Sequence, residues 1–310
     1  MVNPAFLEAH GYAGARAEAL PADASKRYTR LHGGPRPALL MQTPNRAYLD
    51  AFLRMAAHLA ASGVPAPAVL GAEADTALVE DLGAQSMASA LDSGAEPLPL
   101  YLAAARTLAA LQAAPPPPGL PHWDAAAMAR ATAATFLDWW WPAAFGAPPG
   151  QDQRAALDAA LHAMLDPFAA HGLVHRDFFP ANLIPTPRGM AVIDFQDAAL
   201  GHPAYDLVSL VEDARRDVPP TLRAEVIQAF LAERPIPDAE AAMAVHAAQR
   251  HLRVAALWVR LARRDGKPGY LVHGPRCWAL LARALEHPAT MPLRTFLDVH
   301  VPTELRRNPS

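Results

Sequence analysis

Short β-prone runs confined to the first 83 residues, helical apolar periodicity through most of the remainder, and one polar-ended hairpin near the middle predict an α+β chain. The expected plan is a small β-rich lobe over residues 1–83 and a larger, mostly helical lobe over residues 84–310. A chain of 310 residues is long enough to bury a good core and to form two lobes. Its composition excludes several roles. With 27 Lys and Arg against 30 Asp and Glu, the net charge is −3 and there is no basic field to attract nucleic acid. Apolar residues make up 52%, alanine the commonest of them, and none of their runs approaches the roughly 20 needed to span a membrane. No charged segment followed by an apolar stretch opens the chain, so no secretory signal is expected. One cysteine, Cys277, cannot form an internal disulfide and suits a reducing cytoplasm, with packing on a helix as its expected role.

The elements follow in order. Ala38-Leu39-Leu40-Met41 and Ala77-Leu78-Val79 read as strands. Between them, residues 47–62 repeat apolar side chains at Leu49, Phe52, Leu53, Ala56 and Leu59, the spacing of one helix face. Glu80-Asp81-Leu82-Gly83 then stands where a hinge would, with backbone groups of a crossing strand available to adenine; a plain strand exit with a glycine turn is the alternative. Residues 98–112 form an amphipathic run. Four prolines at 115–118 follow, read as a stiff surface spacer rather than a domain linker. Three consecutive tryptophans end the run 136–141. On a helix they cannot all face the core, so at least one indole should be partly exposed. Residues 247–261 repeat Leu252, Ala255 and Val259 along one face, with Ala262 continuing the row.

The chemistry is concentrated in two segments. His175-Arg176-Asp177-Phe178-Phe179-Pro180-Ala181-Asn182 sets an aspartate and an asparagine five positions apart, and Val192-Ile193-Asp194-Phe195 sets a second aspartate twelve positions beyond Asn182. Leu183-Ile184 and Ala191-Val192-Ile193 are apolar runs separated by Pro185-Thr186-Pro187-Arg188-Gly189, which reads as a hairpin. Such a hairpin would carry Asn182 at its entry and Asp194 at its exit to one edge. A base, an amide oxygen and a carboxylate so arranged are what a Mg²⁺-nucleotide phosphotransferase needs. A hairpin with polar ends and no chemistry is the bland alternative.

With the continuation Gln196-Asp197-Ala198 and Gly201-His202-Pro203-Ala204-Tyr205-Asp206-Leu207-Val208-Ser209-Leu210, these segments resemble the aminoglycoside phosphotransferase and choline kinase superfamily, small-molecule relatives of protein kinases. Within it, D-F-Q-D-A followed by G-x-x-x-Y-D-L-V-S-L resembles the bacterial anomeric kinases of N-acetylmuramate and N-acetylglucosamine. Asp23-Ala24-Ser25, Arg27-Tyr28 and Arg30 resemble that family's nucleotide loop. Gln249-Arg250-His251-Leu252 and Arg264-Asp265-Gly266-Lys267 resemble its C-terminal helix and the turn after it. The resemblance covers roughly residues 20 to 290. It implies a bilobal protein-kinase-like fold, ATP and Mg²⁺ as cofactors, and an amino sugar converted to its 1-phosphate. It further implies a cytoplasmic place in peptidoglycan recycling and a functional link to a sugar-phosphate nucleotidyltransferase.

On that resemblance Asp177 is the expected base, Asn182 and Asp194 are the expected metal ligands, and Ser25, Lys26, Arg27, Arg30, Glu80 and Leu82 are expected around the nucleotide. His175 would fix the loop and Asp206 would brace it. Arg176, Asp197, His202 and Trp140 are the expected acceptor contacts, Trp140 by stacking on a sugar ring, with packing between helices as its alternative. Asp138 is a weaker candidate for a sugar hydroxyl, and Arg250 and Arg253 are available to a carboxylate, though solvation explains them equally well. Two departures stand out. Where the superfamily usually carries a strand lysine, this chain reads Met41-Gln42-Thr43, and its two lysines are Lys26 and Lys267. Lys26, Arg27 or Arg30 is expected to supply the missing cation; a degenerate nucleotide site is the alternative. Phe178 and Phe179 stand where relatives have polar residues, so an apolar acceptor wall is expected. An aminoglycoside or amino-alcohol kinase, or a non-catalytic nucleotide-binding regulator, remains open.

Overall fold

The computed structural model describes residues 3–21, 26–169 and 172–309. The architecture is α+β, with a β-sheet near the N-terminus and a larger helical part. Two compact units divide the chain: Met1–Gly119 with Pro180–Ala198, and Leu120–Phe179 with Ala199–Ser310. The partition differs from a division at residue 83. Its first break falls between Gly119 and Leu120, one residue after the four prolines.

In the first unit, strands β1 (Arg16–Ala19), β2 (Arg27–His32), β3 (Ala38–Gln42), β4 (Val69–Glu73) and β5 (Thr76–Glu80) form one antiparallel sheet in the order β1-β2-β3-β5-β4. β3 and β5 are central and carry the buried residues Leu40, Met41, Ala77, Leu78 and Val79. The helix Arg46–Ala61 presents Leu49, Phe52, Met55, Ala56 and Leu59 to the interior, one apolar stripe at 3.6-residue spacing. Asn45 caps it by accepting from the Tyr48 backbone N–H at 3.1 Å. Leu183–Thr186 and Gly189–Val192 form the predicted hairpin. Its turn needs Gly189, whose φ is +115°. Phe195, just beyond the hairpin, stacks on Phe52 with centroids 5.0 Å apart, which fixes Asp194 against the helix.

The second unit is helical around a three-stranded sheet of His122–Trp123, Ala199–Gly201 and Gly172–Val174, in that spatial order. Gly201 suits the close packing there, because a Cβ would lie 3.0 Å from Val174 and 3.2 Å from the Trp123 carbonyl oxygen. The helix Ala239–Arg264 runs through the interior, with Leu252, Val254, Ala255, Ala256, Trp258 and Val259 all buried. It is therefore enclosed on more than the single face its apolar row suggests. Residues 133–140 form a π-helix, Ala133–Trp140, between two α-helical stretches. Pro142 has no N–H to continue an α pattern, and Thr132 and Thr135 turn their hydroxyls back onto carbonyls at 2.8 to 3.2 Å.

Candidate functional site

In the first unit a cavity of about 420 Å³ is lined by Lys26, Tyr28, Leu39, Phe52, Val79, the segment Glu80-Asp81-Leu82-Gly83, Asn182, Ile184 and Asp194. It brings together five predicted residues: Lys26, Glu80, Leu82, Asn182 and Asp194. The sheet register sets Lys26 beside the end of β3. Arg27 pairs with Gln42, so Lys26 stands level with the end of β3, and a cation from the neighbouring strand reaches the site. The Lys26 ammonium donates to Asp194 Oδ1 at 2.6 Å and to the Tyr48 hydroxyl at 2.9 Å. Burial would lower its pKa, but Asp194 and Tyr48 hold it above the ordinary lysine value. Tyr48 lies one turn before Phe52 on the same helix face, a spacing that could have revealed it.

The other two basic candidates are engaged elsewhere. Arg30 donates twice to Asp81, at 2.5 and 3.3 Å, and Arg27 is exposed on the strand's other face. Ser25 lies outside the described residues. Glu80 accepts from the Ala68 N–H at 3.1 Å and from Arg188 at 2.7 Å, so its side chain ties the strand end to the hairpin turn. Asp194 has φ +62°, a conformation that costs an aspartate energy and clusters at functional positions. Gln196 Nε2 bridges Asp194 Oδ1 at 3.2 Å and Asp197 Oδ2 at 3.0 Å, which places the exposed Asp197 beside the cavity's carboxylate. Asn182 and Asp194 offer oxygen donors, the type a Mg²⁺ ion takes when phosphates complete its shell. Among the described residues, no cluster of three or more His, Cys, Asp or Glu side chains stands ready to hold a metal by itself.

The second unit holds Asp177. Asp206 accepts the backbone N–H groups of His175 at 2.6 Å and Arg176 at 2.9 Å, bracing the loop as the sequence suggests. Burial pushes the Asp206 carboxyl up, against these two bonds that favour its ionised form. The Asp177 N–H donates to His175 Nδ1 at 3.3 Å, so the buried imidazole fixes the loop. Arg176 has φ +74°, and its guanidinium lies 4.1 Å from the Trp123 ring centroid. Burial alone would raise the Asp177 pKa, but Arg250, Arg253, His175 and Arg176 hold it below the usual aspartate value.

Arg250 is not a solvated surface residue. It is buried and donates to the Arg176 carbonyl at 3.2 Å and the Tyr205 hydroxyl at 3.3 Å. Arg253 donates to the same hydroxyl at 3.0 Å. Phe179 does not make an apolar wall either, because the Arg215 guanidinium covers it at 4.4 Å. Sequence reasoning missed Arg215; the signal was the Arg215-Arg216 pair after Glu212-Asp213, acids that prove to be buried.

Two acceptor candidates are overturned. Trp140 is fully buried, stacked on Phe136 at 4.7 Å, with its indole N–H donated to the Arg307 carbonyl at 2.8 Å. Neither ring face is available to a sugar; the half-buried indole is that of Trp139. His202 is buried against His246 at 4.8 Å and accepts the Ala204 N–H at 3.1 Å, starting the helix that carries Asp206. Asp138 pairs with Arg154 at 2.9 Å.

A model of the phosphotransferase enzyme family matches residues 16–246. A protein of Caulobacter vibrioides called N-acetylmuramate/N-acetylglucosamine kinase is 36% identical over 98% of this chain and 97% of its own length. A Pseudomonas aeruginosa protein of the same name is 32% identical over 87% of this chain and 84% of its length. Among solved structures, a choline/ethanolamine kinase family protein from Mesorhizobium loti superposes with a TM-score of 0.61 at 15% identity, covering 93% of this chain and 94% of that one. The aminoglycoside phosphotransferase APH(4)-Ia gives 0.61 at 16% identity, covering 90% and 96%. The fold is that of the aminoglycoside phosphotransferase and choline kinase superfamily.

Proposed function

Because the chain belongs to the phosphotransferase enzyme family, we propose that it is an ATP-dependent kinase of N-acetylated amino sugars, acting on the anomeric hydroxyl of N-acetylmuramate and N-acetylglucosamine. The observation that carries the reading is the cavity on which Lys26, Asn182 and Asp194 converge with the strand end Glu80–Gly83. The names of the relatives supply the acceptor class, and solved complexes of APH(4)-Ia with AMP-PNP and with ADP support the nucleotide.

In this reading the backbone of residues 80–83 receives the adenine, and Lys26 offers its ammonium to the phosphates. Asn182 and Asp194 hold Mg²⁺, which supplies charge neutralisation on the phosphate oxygens. Asp177 accepts a hydrogen bond from the acceptor hydroxyl and orients it; proton transfer finishes late because the transition state is loose. Arg250 and Arg253 keep Asp177 ionised and therefore a weak base. That suits an anomeric hydroxyl, the most acidic of a sugar ring. The sugar 1-phosphate is what a nucleotidyltransferase of cell-wall recycling would consume, in a cytoplasm that keeps the buried Cys277 reduced. No helix among the described residues is long and apolar enough to cross a membrane.

The test is ADP release with Mg-ATP, comparing N-acetylmuramate, N-acetylglucosamine, glucose, choline and kanamycin, with Asp177→Asn as control. Turnover with the N-acetyl sugars that yields an alkali-stable, acid-labile phosphate and disappears in the variant supports the proposal. Turnover with choline or kanamycin alone sinks it.

A further inference from the structure

Four arginines gather in the second unit near Asp177, and their side chains differ in how fully they are engaged. Arg250 donates to a carbonyl and to Tyr205, Arg253 donates to Tyr205, and Arg176 lies on Trp123. Arg215 is different. Its guanidinium sits between two rings, 4.4 Å from the Phe179 centroid and 5.0 Å from that of Trp258. Trp258 is held in turn by Tyr270, stacked at 5.2 Å. The Arg215 backbone N–H donates to Asp213 Oδ1 at 2.9 Å, but among the described residues its guanidinium makes no hydrogen bond and no ion pair. Asp213, Asp177 and Tyr270 favour its charge from a distance, while burial and Arg250 disfavour it. A half-buried guanidinium on an apolar seat, with donors that no described protein group accepts, is open to an anion that arrives to accept them.

We propose that Arg215, seated between Phe179 and Trp258, receives a carboxylate of the acceptor and makes the protein prefer N-acetylmuramate over N-acetylglucosamine. This rests on the sugar-kinase reading and deepens it. The two sugars differ by the lactyl ether of N-acetylmuramate, which carries the carboxylate. Phe179 belongs to the same loop as Asp177, so one short segment positions the base and the anion receptor's seat together. The planar guanidinium suits a carboxylate's two oxygens, and its aromatic seat limits the ordering cost of the pair.

The experiment measures kcat and KM for N-acetylmuramate, its neutral methyl ester and N-acetylglucosamine in the wild type, Arg215→Met and Arg215→Lys. Methionine keeps apolar contact with the two rings and removes the charge; lysine keeps the charge and loses the fork. The expected result is that the N-acetylmuramate to N-acetylglucosamine ratio of kcat/KM falls about 10- to 100-fold in Arg215→Met, chiefly through KM, the size of a lost charge-assisted hydrogen bond. Acid and ester become equivalent in that variant, and Arg215→Lys lies between. Thermal melting and ADP affinity near wild type show that the variants fold. If both sugars lose turnover equally, or KM for ATP moves, Arg215 serves the phosphoryl group or the fold and the inference is overturned. A wild type that phosphorylates both sugars but does not distinguish acid from ester overturns the inference and leaves the kinase reading intact. A wild type that turns over neither sugar overturns both.

Discussion

We propose that Lys26 supplies the charge whose usual strand position is lost. Gln42 ends β3, and the ammonium comes instead from one residue before β2, held by Asp194 and Tyr48. Lys26→Met should raise KM for ATP about 10-fold or more, as expected for the loss of charge-assisted bonds to phosphate. Tyr48→Phe removes a positioning contact only and should cost about threefold, visible in a coupled ADP assay at varied ATP. Asp177→Asn should lower kcat by about 10²- to 10⁴-fold, the range for a lost general base, with ATP affinity and melting near wild type. The motif residues were readable because their types and spacing are dictated by the chemistry. Tyr48 and Arg215 left only weak local signals, and Arg250 read equally well as solvated, because their importance lies in what they touch across long stretches of chain.

At the scale of elements, the strands, the hairpin and the helix Arg46–Ala61 follow the periodicity in the sequence. Departures occur where tertiary packing overrides the local pattern. The tryptophan run becomes a π-helix in which Trp140 is clamped between Phe136 and Trp278, with centroids 4.7 and 5.3 Å away. Trp140→Ala should destabilise the protein by about 3–5 kcal/mol in denaturant unfolding while leaving KM for the acceptor near wild type. A large rise in that KM at unchanged stability would restore the stacking role. The helix Ala239–Arg264 likewise shows one apolar row in sequence yet is enclosed on several sides, which is why Arg250 is buried rather than solvated.

Across the molecule, buried charge clusters set the acid response. Burial lowers the His202 pKa to about 4, so the imidazole is neutral in the folded protein at pH values where the unfolded chain binds a proton. Stability therefore rises as pH increases from about 4 to 6.5, by roughly 3 kcal/mol from this group. Glu212 acts over a lower window. Burial alone would raise it, but His251, Arg223 and Arg283 hold it at about 2, so the stability it contributes is complete above the ordinary glutamate value near 4.5 and is lost as pH falls toward 2. Urea unfolding between pH 7.5 and 4.5 should show a midpoint that drops on acidification. His202→Asn should flatten the slope, and an unchanged slope would refute this assignment.

The phosphotransferase class and the α+β plan were legible in the sequence alone, because the motif residues lie in one loop and one hairpin whose local propensities are strong. Residues 80–83 were legible as a strand exit for the same reason. That Lys26 stands level with the end of β3 was decided only by sheet register, since a register is a pairing between strands and cannot be read from either one. Whether Trp140 meets solvent, whether Phe179 is bare and whether Arg250 is solvated were decided only by tertiary packing. Burial is set by neighbours distant in the chain: Arg307 for Trp140, Arg215 for Phe179, Tyr205 and the Arg176 carbonyl for Arg250.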